Sequence, residues 1–306
     1  MGRAAGRISS KPSRLLRHRF KKITKRLIFC PLCVIFEIVP VSQNCGKGRD
    51  SVMKYYEQLV DLSCFTRRDV EAVTGGNRET AHSLIELYKK RGLVSGVRRN
   101  LFVAMSLETK QPVPNRYVIA SHAAPRAYVA CHSAFEYYGI ANQVYYEVYA
   151  ASVSRFREFE FDGLTYRRMS SPFENGVESK PDGVRVADLE RTVIDGINDF
   201  DTVGGLEELL RCIDLIPFLN HLKLTEYLRC YGKAVLYQKA GYILEHFKDA
   251  LKLPDEFFVS CQNMAAKSKR YLQYNLRDKS YTFNKNWALY VPDDLMSITR
   301  KGGRLL

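Results

Sequence analysis

Thr66-Arg67-Arg68-Asp69-Val70-Glu71-Ala72-Val73-Thr74-Gly75-Gly76-Asn77-Arg78-Glu79-Thr80-Ala81-His82-Ser83-Leu84-Ile85-Glu86-Leu87-Tyr88 holds two helix starts separated by a glycine turn. Thr66 with Asp69 three residues on is an N-terminal capping pair, and it predicts a short helix through Val73. Asn77 caps a second helix to about Arg91, with Ala81, Leu84, Ile85 and Tyr88 on its inner face. Gly92 follows as the terminating glycine. Upstream, Tyr56, Leu59 and Val60 mark one face of a helix over Met53–Leu62. Downstream, Leu93-Val94 and Leu101-Phe102-Val103 read as two strands around Ser95-Gly96 and Arg98-Arg99-Asn100.

Three helices and a hairpin in that order predict a winged helix-turn-helix over residues 53–105. In such a module the third helix enters the major groove by its N-terminal end. That points to Asn77, Arg78, Thr80 and His82 for base edges. It places Arg98, Arg99 and Asn100 at the wing, against phosphate or the minor groove. The same order of elements also serves protein contacts, and Arg98-Arg99 also fits an ordinary solvated turn.

Charge is unevenly spread. The 306-residue chain has a formal net charge of +14. Residues 1–50 hold 12 Lys and Arg against 2 Asp and Glu, whereas the stretch from 106 onward is close to balanced. The excess therefore says little about the folded part. A basic run, Arg14 to Arg26, precedes a 15-residue apolar run, Leu27 to Val41, broken by Glu37. The run is short for a membrane span and lacks a clean cleavage site. The preferred reading of residues 1–52 is an over-extended start, with structure beginning at Met53; an export signal and a basic arm are the alternatives. Cys30 and Cys33 form half a zinc set without a second pair. The other cysteines lie scattered in apolar segments, the usage of a reduced, cytoplasmic protein. No cofactor and no membrane association is expected.

Residues 112–291 alternate strand-like and helical stretches, and 292–306 read as a tail. Tyr117–Ala120 is a short apolar run, Ala127–Tyr138 a helix, Val144–Ala150 a strand. Phe159–Tyr166 is a hairpin with an Asp162-Gly163 turn. Val184–Val186 is a strand, and Asp188 caps a helix to Ile197. Helices follow near 204–215, 224–231 and 235–251, then a hairpin over Tyr281–Val291. The mixture predicts an α+β fold: a winged helix-turn-helix followed by a mixed α+β domain.

Two segments of this region carry a family pattern. Cys131-His132-Ser133-Ala134-Phe135-Glu136-Tyr137-Tyr138-Gly139-Ile140 resembles the hhSALeyhGL element of AbiEi-family antitoxins. Val186-Ala187-Asp188-Leu189-Glu190-Arg191-Thr192-Val193-Ile194-Asp195 resembles their vadlERTllD element, and Gly204-Gly205-Leu206-Glu207-Glu208 the glycine-led helix after it. Arg91–Val94 and Val97–Val103 are similar to the family's third-helix end and wing, with Arg98-Arg99-Asn100 where a glycine is usual. The resemblance covers about residues 53–291. It implies a two-domain antitoxin that represses its own operon at promoter DNA, and a nucleotidyltransferase toxin as partner. One winged helix covers little DNA, so tight binding calls for two copies on an inverted repeat.

Ser133, Glu136, Asp188, Glu190, Arg191 and Asp195 are the motif residues of the second domain, structural or antitoxic in role. Asp188 with Arg191 and Arg191 with Asp195 share a helix face and suit ion pairs. Adjacent His132 and Ser133 do not face each other, which argues against a nucleophile–base pair. No catalytic or metal set is evident. The alternative is an enzyme acting on nucleic acid or on the toxin through the second domain, with the winged helix as its targeting module.

Overall fold

The computed structural model describes residues 53–273, 280–293 and 295. The expectations for residues 1–52, Cys30 and Cys33 included, and for the tail beyond 295 lie outside the described residues. The protein is a mixed α+β chain. Its N-terminal elements are α1 (Tyr56–Leu62), β1 (Cys64–Phe65), α2 (Arg67–Thr74), α3 (Arg78–Lys90), β2 (Val94–Arg98) and β3 (Leu101–Ala104). The three strands form an antiparallel sheet in the order β1-β3-β2. Thr66 and Asp69 make the reciprocal capping box at α2. Asn77 Oδ1 accepts the Glu79 and Thr80 N–H groups at α3.

The Thr74–Asn77 turn needs both of its glycines. Gly75 adopts φ +62°, which L side chains avoid. A Cβ at Gly76 would lie 2.9 Å from the Thr80 Cβ, so a side chain there would push α3 off its start.

The remaining elements are α4 (Arg116–Ser121), β4 (Tyr128–Val129), α5 (Cys131–Tyr137), β5 (Glu147–Ser152), β6 (Phe159–Phe161), β7 (Leu164–Ser170), β8 (Val177–Ser179), β9 (Arg185–Ala187) and α6 (Leu189–Asn198). A 3-10 turn at Phe200–Val203 leads to α7 (Leu206–Asp214), α8 (His221–Tyr231), α9 (Ala234–Glu245), α10 (Lys248–Leu251) and α11 (Asp255–Met264). The short strands β10 (Arg270–Tyr271), β11 (Tyr281–Asn284) and β12 (Leu289–Pro292) close the chain in a small sheet of their own.

A six-stranded mixed sheet, in the order β6-β7-β5-β4-β9-β8, is the centre of the fold. Successive side chains of a strand face opposite ways, and here each way is a core. Tyr128, Ala151 and Ala187 join the large apolar cluster formed by the helices from α5 onward. Their neighbours Val129, Ala150 and Val186 join a second cluster on the opposite face. That second cluster contains Val118 and Ile119 of α4 and also Cys64, Val97, Leu101 and Val103 from the N-terminal sheet. The described residues accordingly group as one compact unit.

One stretch whose type the sequence leaves open proves helical, and one differs from expectation. Tyr117–Ala120 lies in a helix, α4, because Asn115 caps it by accepting the Tyr117 and Val118 N–H groups; its unbroken apolar run reflects burial in the second cluster and not a strand. Ala127–Tyr138 is not one helix. Tyr128–Val129 pair with β5 and β9 before α5 begins, and Cys131 at φ +54° turns the chain between them. The Asp162-Gly163 turn is present, with both residues at positive φ, as a type I′ hairpin requires.

Candidate functional site

The first candidate is the exposed start of α3. Ala81, Ile85 and Tyr88 fix the helix to a core that also holds Leu59, Phe65, Val70 and Phe102. The opposite side leaves Asn77, Arg78, Glu79, Thr80, His82 and Ser83 exposed. Their polar groups are not equally available. Asn77 Oδ1 already takes three donors: the two N–H groups of the cap and the Thr80 hydroxyl at 3.1 Å. Arg78 and His82 have no such engagement among the described residues.

The β2–β3 turn behaves differently from a free wing. Arg98 Nη1 donates to the Ala123 carbonyl at 2.5 Å, and its guanidinium sits 5.6 Å from the ring centres of Phe156 and Phe159. Arg98 thereby fastens the hairpin to the six-stranded sheet, with one of its donors committed there. Arg99 is exposed at the tip. Asn100 occupies φ +60°, the left-handed position a glycine would take and one that Asn tolerates. Its Oδ1 accepts the Arg67 N–H at the start of α2, 3.3 Å away.

The second candidate surrounds α6. Arg191 is fully buried. Its Nε meets Asp195 Oδ1 at 2.6 Å, Nη1 donates to the Asn175 carbonyl at 2.8 Å, and the Phe173 ring lies 3.6 Å from the guanidinium carbon. Asp195 also accepts the Tyr231 hydroxyl at 2.6 Å. Burial alone would pull the Arg191 pKa down; Asp195, Tyr128 and Tyr231 together hold it above the ordinary arginine value. Asp188 accepts the Arg191 N–H as the helix cap, but its charge partner is Lys223 at 2.9 Å, with the Tyr227 hydroxyl at 2.7 Å. Glu190 accepts the Asn220 N–H at 2.8 Å. The motif carboxylates of α6 thus hold α8 in place.

A pocket of about 360 Å³ opens onto this pair. Tyr128, Ser171 and Tyr231 line it beside Arg191 and Asp195, with Asn198, Asp199, Cys230 and Lys233 also in its wall. Lys233 Nζ donates to Asn198 Oδ1 at 2.8 Å. Burial pushes the Tyr128 hydroxyl and the Cys131 thiol up to about 12 each, so neither ionises at neutral pH. Sequence spacing linked Arg191 to Asp195 but not to these residues. Asn198 and Asp199 end α6 itself, while Tyr128, Ser171, Cys230, Tyr231 and Lys233 arrive from β4, the β7–β8 loop, α8 and the α8–α9 junction, and only the tertiary fold joins these to Arg191.

Ser133 and Glu136 form a third group. Ser133 Oγ accepts the Tyr149 N–H at 2.9 Å. Glu136 accepts the Tyr145 N–H at 2.9 Å and pairs with Arg116 at 2.9 Å. Buried His132 lies between two buried carboxylates, 3.3 Å from Glu136 and 3.4 Å from Glu208. Burial raises Glu136, yet His132, the Tyr145 N–H and Arg116 outweigh it and hold the carboxyl below its ordinary value. These polar groups pin the β5 segment to α5. His132 and Ser133 point to separate partners.

No group of three or more His, Cys, Asp and Glu among the described residues is arranged to hold a metal ion. No helix among them is long and apolar enough to cross a membrane.

No family model matches the chain, and no curated protein matches it. Among solved structures it is similar to the Rv2827c protein of Mycobacterium tuberculosis, with a TM-score of 0.57 and 13% identity over 83% of this chain and 95% of that one. At that identity the likeness is one of fold.

Proposed function

We propose that this chain is a DNA-binding regulator of the AbiEi antitoxin kind, in which residues 56–104 act as a winged helix-turn-helix. In this reading it represses its own operon at promoter DNA and opposes a nucleotidyltransferase toxin. The observation that supports it is the start of α3. A helix anchored by three buried residues presents its capped N-terminal turn, with Arg78 and His82, to solvent, behind a two-glycine turn from α2. Exposed donors on a rigid helix end are what reading base edges requires. Arg78 and His82 are the first base contacts, Asn77 and Thr80 being partly occupied with each other. Arg99 is the wing contact.

Footprinting on the upstream region of the gene tests this reading. Arg78→Ala is expected to cost about 1–3 kcal/mol and to relax preference at one base position. Unchanged promoter affinity in both Arg78→Ala and His82→Ala would remove α3 as the reader.

A second reading gives the C-terminal part an activity on nucleic acid or on the toxin. The pocket over Arg191, with Asp199 and Lys233 in its wall, favours it. An Asp199→Ala, Lys233→Ala double variant that neutralises the toxin as well as the parent does would leave this second reading without a site.

A further inference from the structure

A cleft of about 520 Å³ opens where the β2–β3 turn meets the loop between α4 and β4. Four guanidinium groups line it, those of Arg98, Arg99, Arg126 and Arg185, and no carboxylate does. Two are held by backbone carbonyls: Arg98 on Ala123, and Arg185 Nη1 on Ala127 at 3.3 Å. Arg99 makes no hydrogen bond or ion pair among the described residues. Arg126 is mostly exposed and is paired with Glu174 outside the lining. Three of the four charges therefore have no carboxylate partner. Arginine supplies planar, forked donors suited to phosphate oxygens, and clustered like charge is maintained at a cost unless an anion occupies it.

We infer that this cleft binds the phosphodiester backbone of nucleic acid, so that Arg126 and Arg185, outside the N-terminal helices and hairpin, extend the DNA-contacting surface beyond α3. The inference rests on the DNA-binding reading of α3 for its placement. Thr66, the cap of α2, lines the cleft, and α2 ends at the Gly75-Gly76 turn from which α3 starts. Eight helical residues span about 12 Å, roughly the width of a major groove. With the start of α3 in the groove, the cleft lies over the strand at its edge. Arg99 at the tip and the mostly exposed Arg126 supply the outer phosphate contacts. Arg98 and Arg185, held by carbonyls, set the positive floor.

The test uses the full chain, a duplex of the upstream region and an unrelated duplex of equal length. It measures affinity against salt for the parent, for Arg99→Ala with Arg126→Ala, and for Arg78→Ala. Each lost phosphate contact reduces the salt slope by about one unit and lowers affinity about 8-fold at about 0.1 M salt. The double variant is expected to lose affinity for both duplexes alike, with a thermal melt matching the parent. Arg99→Glu with Arg126→Glu is expected to lose more. A parent that prefers the upstream duplex, with double variants unchanged in affinity and slope, overturns the cleft and leaves the regulator reading standing. A parent without preference, whose double variants still lose affinity, supports the cleft and sinks the regulator reading. Absence of binding to either duplex overturns both. Inorganic phosphate that stabilises the parent but not the double variant, when the variant still binds DNA normally, marks a small-anion site and overturns the backbone assignment.

Discussion

Arg191 leaves 1% of its side chain exposed and faces a carboxylate that is itself buried. Removing one partner of such a pair strands the other charge. Arg191→Ala is therefore expected to destabilise the chain by about 3–5 kcal/mol, read from denaturant melts. If the chain is the antitoxin proposed above and the role of Arg191 is structural, toxin neutralisation will fall only in proportion to folded protein. A stable Arg191→Ala protein without antitoxin activity would point to direct use of the guanidinium. Glu136 gives a pH prediction. Its folded pKa lies below the ordinary 4.5, so its stabilisation is complete above that value and fades as pH falls through the folded one. Stability should thus drop on acidification below about 4.5, and less steeply in Glu136→Gln. A parent and variant with parallel pH profiles would contradict this. At this scale the sequence revealed what lies within one helical turn. Arg191 and Asp195 are four residues apart, and helix geometry joins them. Phe173, Asn175 and Tyr231 meet Arg191 only after the β7–β8 loop and α8 have docked, and spacing carries no trace of that.

Caps and turns were the most legible elements, because each is a local bargain between a side chain and the next few N–H groups. Thr66, Asn77, Asp188 and the Asp162-Gly163 turn all stand where their chemistry put them. The α4 segment was not legible: buried on most sides, it has no polar face to reveal a helical period. The contact between α9 and the β11–β12 turn was equally hidden. Trp287 is buried against Gly241, where an added Cβ would lie 2.1 Å from the indole ring, and its Nε1 donates to Glu245 at 2.7 Å. Gly241→Ala must displace the ring, at an expected cost of about 1–3 kcal/mol. Trp287 is the single tryptophan of the chain, so a red-shifted emission in the variant would report the displacement directly. An unshifted spectrum with a parental melting temperature would show that the ring does not need the glycine. In the hairpin turn, Asn100→Gly gives up the Arg67 contact but keeps the backbone, and Asn100→Val is expected to destabilise more, since only Val resists φ +60°.

The whole molecule departs from a pair of loosely joined modules. Cys64, Val97, Leu101 and Val103 give their apolar surface to the cluster under the six-stranded sheet, and Arg98 pins the hairpin from outside that cluster. Periodicity marks which residues are buried but not against what, so the sequence could delimit the N-terminal elements without revealing the shared core. Residues 53–306 should unfold in one transition, with Trp287 fluorescence and far-ultraviolet circular dichroism coinciding. A fragment ending near 105 should expose that apolar face and self-associate. Two resolved transitions would contradict a common core.

That shared core also bears on how strictly a target site must be laid out. If α3 reads DNA as proposed, it does so from a shared core and not from a flexible tether that could shift to suit the site. Two such bodies on an inverted repeat would act as a fixed caliper. Inserting about 5 base pairs between the half-sites turns one of them to the far side of the duplex, and the shared core of the described residues resists following it.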